Sequence, residues 1–269
     1  GYWVLSRAYH EKPDIDAFPP LSRIYPDATF EEDLIYRVSE DGEVLEAASI
    51  PEIMNRSGLD ALMADFDMRD IDWRGGLVEL VHSNKVGELP GEIADAFPMF
   101  DAGDLVVSLR FKNMIFVIDR ETWTVKWHQT GPWRRQHDPE FAPDGTIILF
   151  NNNTYKGLHR IRGETGAYRS NIIKVDPATG ETEVIYGDGT GEDLYSMIRS
   201  KQDVLTDGGV MITEFEGGRA LQVDADRQVV WEYINRYDEE HVLEITEARV
   251  YPADYFTVDD WSCPGDAQD

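Results

Sequence analysis

The chain has 269 residues, 42% of them hydrophobic and 11% aromatic, enough to bury a sizeable core as one large domain or two small ones. Its 52 acidic against 25 basic side chains give a formal charge of −27, which repels phosphate backbones and anionic lipid and so argues against nucleic-acid partners and membrane insertion. No run approaches the ~18 apolar residues of a membrane span, and a single cysteine, Cys263, excludes an internal disulfide framework.

From the N-terminus, Gly1 opens directly into the strand-like "YWVLS" with no initiator methionine, so a signal or anchor segment upstream is expected. "DLIYRVSEDGEVLEA" (33–47) is two strands around an Asp/Gly corner. Within "IPEIMNRSGLDALMADF" (50–66), Ile53, Leu59, Leu62 and Met63 fall at helical spacing, which predicts one helical excursion outside the sheets.

A phrase then recurs: an Asp/Gly corner, an apolar strand, a second strand ending in Asp, a turn, and a third strand. It appears in "AGDLVVSLRFKNMIFVIDRETWTVKW" (102–127), "APDGTIILFNN" with "SNIIKVDPATGETEVIY" (142–186), and "TDGGVMITEFEGGRALQVDADRQVVWEY" (206–233). Residues 33–47 form a degenerate fourth copy. Asp119, Asp176 and Asp224 mark equivalent turns 57 and 48 residues apart, close to the ~40–50 residues of a four-stranded blade. The expected fold is therefore all-β, a single β-propeller domain over 1–269 with four repeats visible. "EARVYPADYF" (247–256) reads as a last strand that closes the ring with the N-terminal segment.

Innermost propeller strands line a shared channel, so polar residues at repeat starts converge on it. "LVHSNKV" places His82 and Asn84 two apart, on one face of a strand. "QHDP" puts His137 at the equivalent place one repeat on, as an exposed channel residue, with Asp138 beside it to orient it or cap a turn. Arg110, at the end of "LVVSLR", adds a cation. Two imidazoles, an amide and a guanidinium suit a tetrahedral oxyanion. His10, His128, His159 and His241 read as structural histidines.

Other motifs are weaker. No zinc signature, G-x-S-x-G elbow or phosphate-cradling loop occurs, so no metal is expected. "YGDGTGEDLY" (186–195) has the composition of a calcium loop without its spacing, and reads as a solvated loop. The tryptophans, as at Trp127 and Trp231, read as packing residues.

Taken in order, "HSNKV", "GDLVVSLRFKNMIFVID", "TGPWRRQHDPEF", "FNNN" and "GGRALQVDADRQVVWEYINR" resemble the arylsulfotransferase-like β-propeller proteins over roughly residues 78–256. The resemblance implies a six-bladed propeller, a periplasmic or extracellular location, and sulfate transfer from an aryl sulfate to a phenol without a nucleotide donor or other cofactor. The family's H-x-N phrase falls on His82 and Asn84, its S-x-R phrase on Ser108 and Arg110, and its Q-H phrase on Gln136 and His137. His137 is then the nucleophile that accepts the sulfuryl group, while His82 and Arg110 bind sulfate oxygens. Asn84, Gln136, Asn152 of "FNNN" and Arg169 are the expected substrate-binding residues. Arg169-Ser170 reverses the family's S-R order, and Gln202-Asp203 stands where Q-R is usual. A non-catalytic propeller that binds a small anion or a partner protein is the alternative.

Overall fold

The computed structural model describes residues 1–10, 29–64, 71–72, 77–154, 169–252 and 254–257; His159 and Cys263 lie outside them. The fold is all-β and of the propeller class, with four sheets following one another in chain order. The first sheet contains β1 (Tyr2–His10), β2 (Thr29–Val38) and β3 (Val44–Ser49), followed after a helical segment by β4 (Ile71–Asp72) and β5 (Leu77–Glu79). It is not a plain meander. β2 pairs with β1 along its length, and its other edge is shared between β5, in parallel at Thr29–Glu31, and β3, antiparallel from Leu34 onward.

The other three sheets are antiparallel four-strand meanders. The second holds β6 (Ser83–Glu88), β7 (Leu105–Leu109), β8 (Met114–Asp119) and β9 (Thr124–Thr130). The third holds β10 (His137–Phe141), β11 (Ile147–Asn151), β12 (Asn171–Val175) and β13 (Thr182–Tyr186). The fourth holds β14 (Lys201–Val204), β15 (Val210–Glu214), β16 (Arg219–Val223) and β17 (Val229–Ile234). Asp119, Asp176 and Asp224 each end or follow the third strand of their sheet. Each carboxylate caps the turn, accepting from the N–H of Thr122, Ala178 and Gln228 respectively at 2.8–2.9 Å. The repeat spacing thus comes from one hairpin chemistry used three times.

Burial on both sheet faces explains the continuous apolar runs. Successive strand residues point to opposite faces, so Leu105, Val107 and Leu109 enter one core while Val106 enters the next. Likewise Ile147 and Leu149 pack toward the second sheet, and Ile148 and Phe150 toward the fourth.

The predicted helical excursion exists, but as two short helices, α1 (Ile50–Arg56) and α2 (Asp60–Ala64). Ser49 caps α1 through its hydroxyl and Pro51 fits the first turn. Gly58 has φ +74, a left-handed conformation that glycine adopts without strain, and it ends the first helix. Ile50, Ile53, Met54 and Met63 fill the space between the first two sheets; Leu59 and Leu62 pack at its edge.

Two further expectations are corrected. The described residues within 247–256 form no strand, and no ladder joins them to β1. The segment instead lies along the fourth sheet, with the Ala248 N–H donating to Thr213 Oγ1 at 2.8 Å and the Val250 N–H to Asp203 at 3.3 Å. Trp231 is not packed in a core but is half exposed and stacked on Tyr233.

Buried glutamines join neighbouring sheets. Gln136, fully buried, donates from Nε2 to Ser108 Oγ at 3.0 Å, Leu109 O at 3.2 Å and Met114 O at 2.9 Å, tying the third sheet to the second. Gln202 does the same from β14, donating to the carbonyls of Asp138 and Ile148. Gln136→Leu keeps the volume but leaves carbonyls without a donor, so it is expected to lower stability by about 3 kcal/mol. Urea denaturation checks this, and wild-type stability in the variant would refute the clamp.

Candidate functional site

The first strands of successive sheets bring their leading residues to one place. His82 immediately precedes β6 and has φ 53; its carbonyl accepts the Arg110 N–H at 3.0 Å, which fixes the two together. Arg110 opens a 3-10 turn after β7 that Asn113 closes in the left-handed region. Asn84 sits in a bulge of β6, and its Nδ2 donates to Gln136 O at 2.8 Å. A second bulge in β10 follows His137. Of the nine non-glycine residues with positive φ among those described, His82, Arg135, Asp138, Arg199 and Ser200 all lie here, where strained backbone re-aims side chains.

His82, Asn84, Arg110 and His137 line one cavity of about 750 Å³, with Arg199 and Ile198 on one side and Leu5, Arg7 and Tyr9 of β1 on another. His137 is buried, and its tautomer follows from its partners. Asn152 donates from Nδ2 to Ser196 O at 3.0 Å and Arg199 O at 3.1 Å, which turns its Oδ1 toward His137. That oxygen only accepts, so His137 Nδ1 carries the proton it receives at 2.7 Å. Nε2 therefore holds the lone pair, and the Arg199 N–H donates to it at 3.2 Å.

His82 is held differently. Its Nδ1–H donates to Glu79 at 2.8 Å, and its ring stacks on Phe111 with centroids 4.5 Å apart. Burial, reinforced by the Arg110 guanidinium, pushes the pKa of His82 down to about 3. Burial likewise pushes His137 down to about 3, with Arg110 and His82 adding to the effect against the opposing Asn152 bond.

The remaining expected site residues are placed elsewhere. Gln136 faces the second sheet rather than the cavity, because its amide serves the carbonyls named above. Asn152 orients His137 from behind and is fully buried. Arg169 is exposed and paired with Asp193 at 3.0 Å. Asp138 neither orients His137 nor caps a turn: it accepts from Lys85 Nζ at 2.6 Å and the Gln202 N–H at 3.3 Å, joining three inner strands. His137 is not an exposed channel residue, being 8% accessible. His82 and Asn84 share the cavity through a left-handed residue and a bulge, not through strand alternation. Arg7, Glu79 and Arg199 had no signal in the sequence, since each reaches the site from an irregular or remote segment. His10 and His241 pair with Glu32 and Asp238. Among the described residues no cluster of His, Cys, Asp and Glu could hold a metal ion.

Because both imidazoles stay neutral in the fold, the unfolded chain binds protons that the folded chain excludes as the pH falls from about 6.5 toward 3, and both groups then reduce stability. At pH 5.5 the imidazole ¹⁵N shifts of His82 and His137 are expected to report neutral rings protonated on Nδ1. Titration of either in the ordinary histidine range would refute the buried, neutral pair.

The family model described as Arylsulfotransferase (ASST) matches residues 16–236. No curated protein matches the chain. Among solved structures, a protein of unknown function from Bacteroides caccae is 12% identical, with a TM-score of 0.45 over 75% of this chain and 59% of that one. The catalytically inactive H270A virginiamycin B lyase from Staphylococcus aureus is 10% identical, with a TM-score of 0.41 over 76% and 51%. The β-propeller domain of Myceliophteria thermophila Cps50 (Swd1) is 7% identical, with a TM-score of 0.41 over 75% and 52%. The chain thus spans about half to three fifths of the length of these structures, and the likeness concerns fold alone. By the match over most of its length, the chain belongs to the arylsulfotransferase family.

Proposed function

We propose that the protein moves a sulfuryl group from a phenolic sulfate to a phenol through a sulfo-histidine at His137. The observation that carries this reading is the fixed tautomer of His137, which leaves the lone pair on Nε2 in a residue that lines one cavity with Arg110 and His82. His137 Nε2 attacks sulfur, the S–O bond breaks, and its electron pair leaves on the phenolate oxygen. Attack exchanges the long Arg199 N–H contact for the N–S bond. Asn152 accepts the Nδ1–H throughout and supports the positive charge that the ring gains. Arg110 steadies the equatorial oxygens. In the second half, an acceptor phenol attacks the same sulfur, and the N–S electron pair returns to Nε2.

A non-catalytic anion-binding role is the second reading, favoured by one observation: both ring nitrogens of His137 already have partners. Intact-mass measurement after incubation with 4-nitrophenyl sulfate separates the two. One added sulfuryl group on His137 is expected, lost on adding a phenol. His137→Asn is expected to remove it, and Arg110→Ala to slow its formation about 100-fold without abolishing it. Sulfate on another residue, or turnover unchanged in His137→Asn, refutes the nucleophile.

A further inference from the structure

We propose, resting on the sulfotransferase reading above, that Glu79 is a positioning residue that makes His82 the general base for the acceptor phenol. The strand register sets Glu79 of β5 beside Glu31 of β2 as direct partners. Arg7 of β1 lies between their carboxylates, 2.8 Å from Glu31 and 3.1 Å from Glu79, and 3.8 Å from Asp33. Glu79 is thereby held against His82, whose Nδ1–H it accepts at 2.8 Å, while Phe111 covers a ring face. Among the described residues His82 Nε2 takes no hydrogen bond, and it is the ring nitrogen left for the cavity.

The charges around His82 explain why it needs this partner. Burial first, then Arg110, Arg7 and Arg135, disfavour a second proton on the ring, and Asp33 opposes them. Glu79 is the carboxylate in direct contact, so it stabilises the imidazolium as it forms. In the acceptor step the phenol proton passes to His82 Nε2 while the phenol oxygen bonds to sulfur. The N–S bond breaks and its electron pair returns to His137. The next departing phenolate takes the proton back from His82, which closes the cycle.

The test measures the half-reactions separately in the wild-type chain, Glu79→Gln and Glu79→Ala. The burst of 4-nitrophenol from 4-nitrophenyl sulfate reports donor cleavage, where the leaving group needs little protonation; it is expected to stay within about threefold. Transfer from sulfo-enzyme to phenols of graded acidity reports the base. Weakly acidic phenols are expected to react about 100-fold more slowly in the variants, and phenols already ionised at the working pH nearly as in the wild type. Equal slowing across the acceptor series, or none, overturns the relay while leaving sulfo-His137 intact. No burst in the wild type overturns sulfotransfer and the relay together. Should the variants fail to fold, the wild-type chain still decides: a solvent isotope effect on transfer to weakly acidic phenols is expected, and its absence refutes general-base catalysis.

Discussion

Burial of the sheets on both faces is the constraint from which the rest of the molecule follows. A strand such as β7 gives Leu105, Val107 and Leu109 to one core and Val106 to the next, so the second sheet is stable only with a neighbour on each side. The same holds for β11 in the third sheet. Sheets stacked in this way bring their first strands together, and that convergence places residues 55 positions apart, His82 and His137, at one cavity.

Convergence creates a polar problem that the inner strands solve with a small set of contacts. Backbone carbonyls at the sheet boundaries face a neighbouring sheet with which they form no ladder. Gln136 and Gln202 supply the missing donors, and Asp138 with Lys85 ties the strands by charge. These contacts pack the inner strands around the two histidines that line the cavity. Both imidazoles are consequently held neutral, the protonation state in which a ring nitrogen is a nucleophile or a base.

This division explains what the sequence disclosed. Hairpin chemistry is local, so Asp119, Asp176 and Asp224 marked their turns correctly from spacing alone. The meeting of His82 and His137 at one cavity was also legible, because both stand at the start of the first strand of successive repeats. The direction of a side chain within a phrase was not. Gln136 and His137 are adjacent, yet one turns to a neighbouring sheet and the other to the cavity, a choice made by the left-handed backbone at Arg135 and Asp138. Arg7 and Glu79 were hidden for another reason: they reach His82 through the mixed pairing of the first sheet, which the degenerate repeat did not reveal.

The cavity's charge differs from that of the whole chain. Any anion approaching a protein of charge −27 is repelled at long range, but solvent-exposed carboxylates are screened over roughly 8 Å at physiological salt. Arg110 and Arg199 act at the cavity wall, where screening is weaker than on the open surface. Arg7, at the same cavity, meets Glu31, Glu79 and Asp33, which offset its charge. Through these contacts Arg7 organises the Glu79 carboxylate that accepts the His82 Nδ1–H. A lysine at position 7 could supply the charge but not the spread of Nε and Nη1 contacts that holds three carboxylates at once.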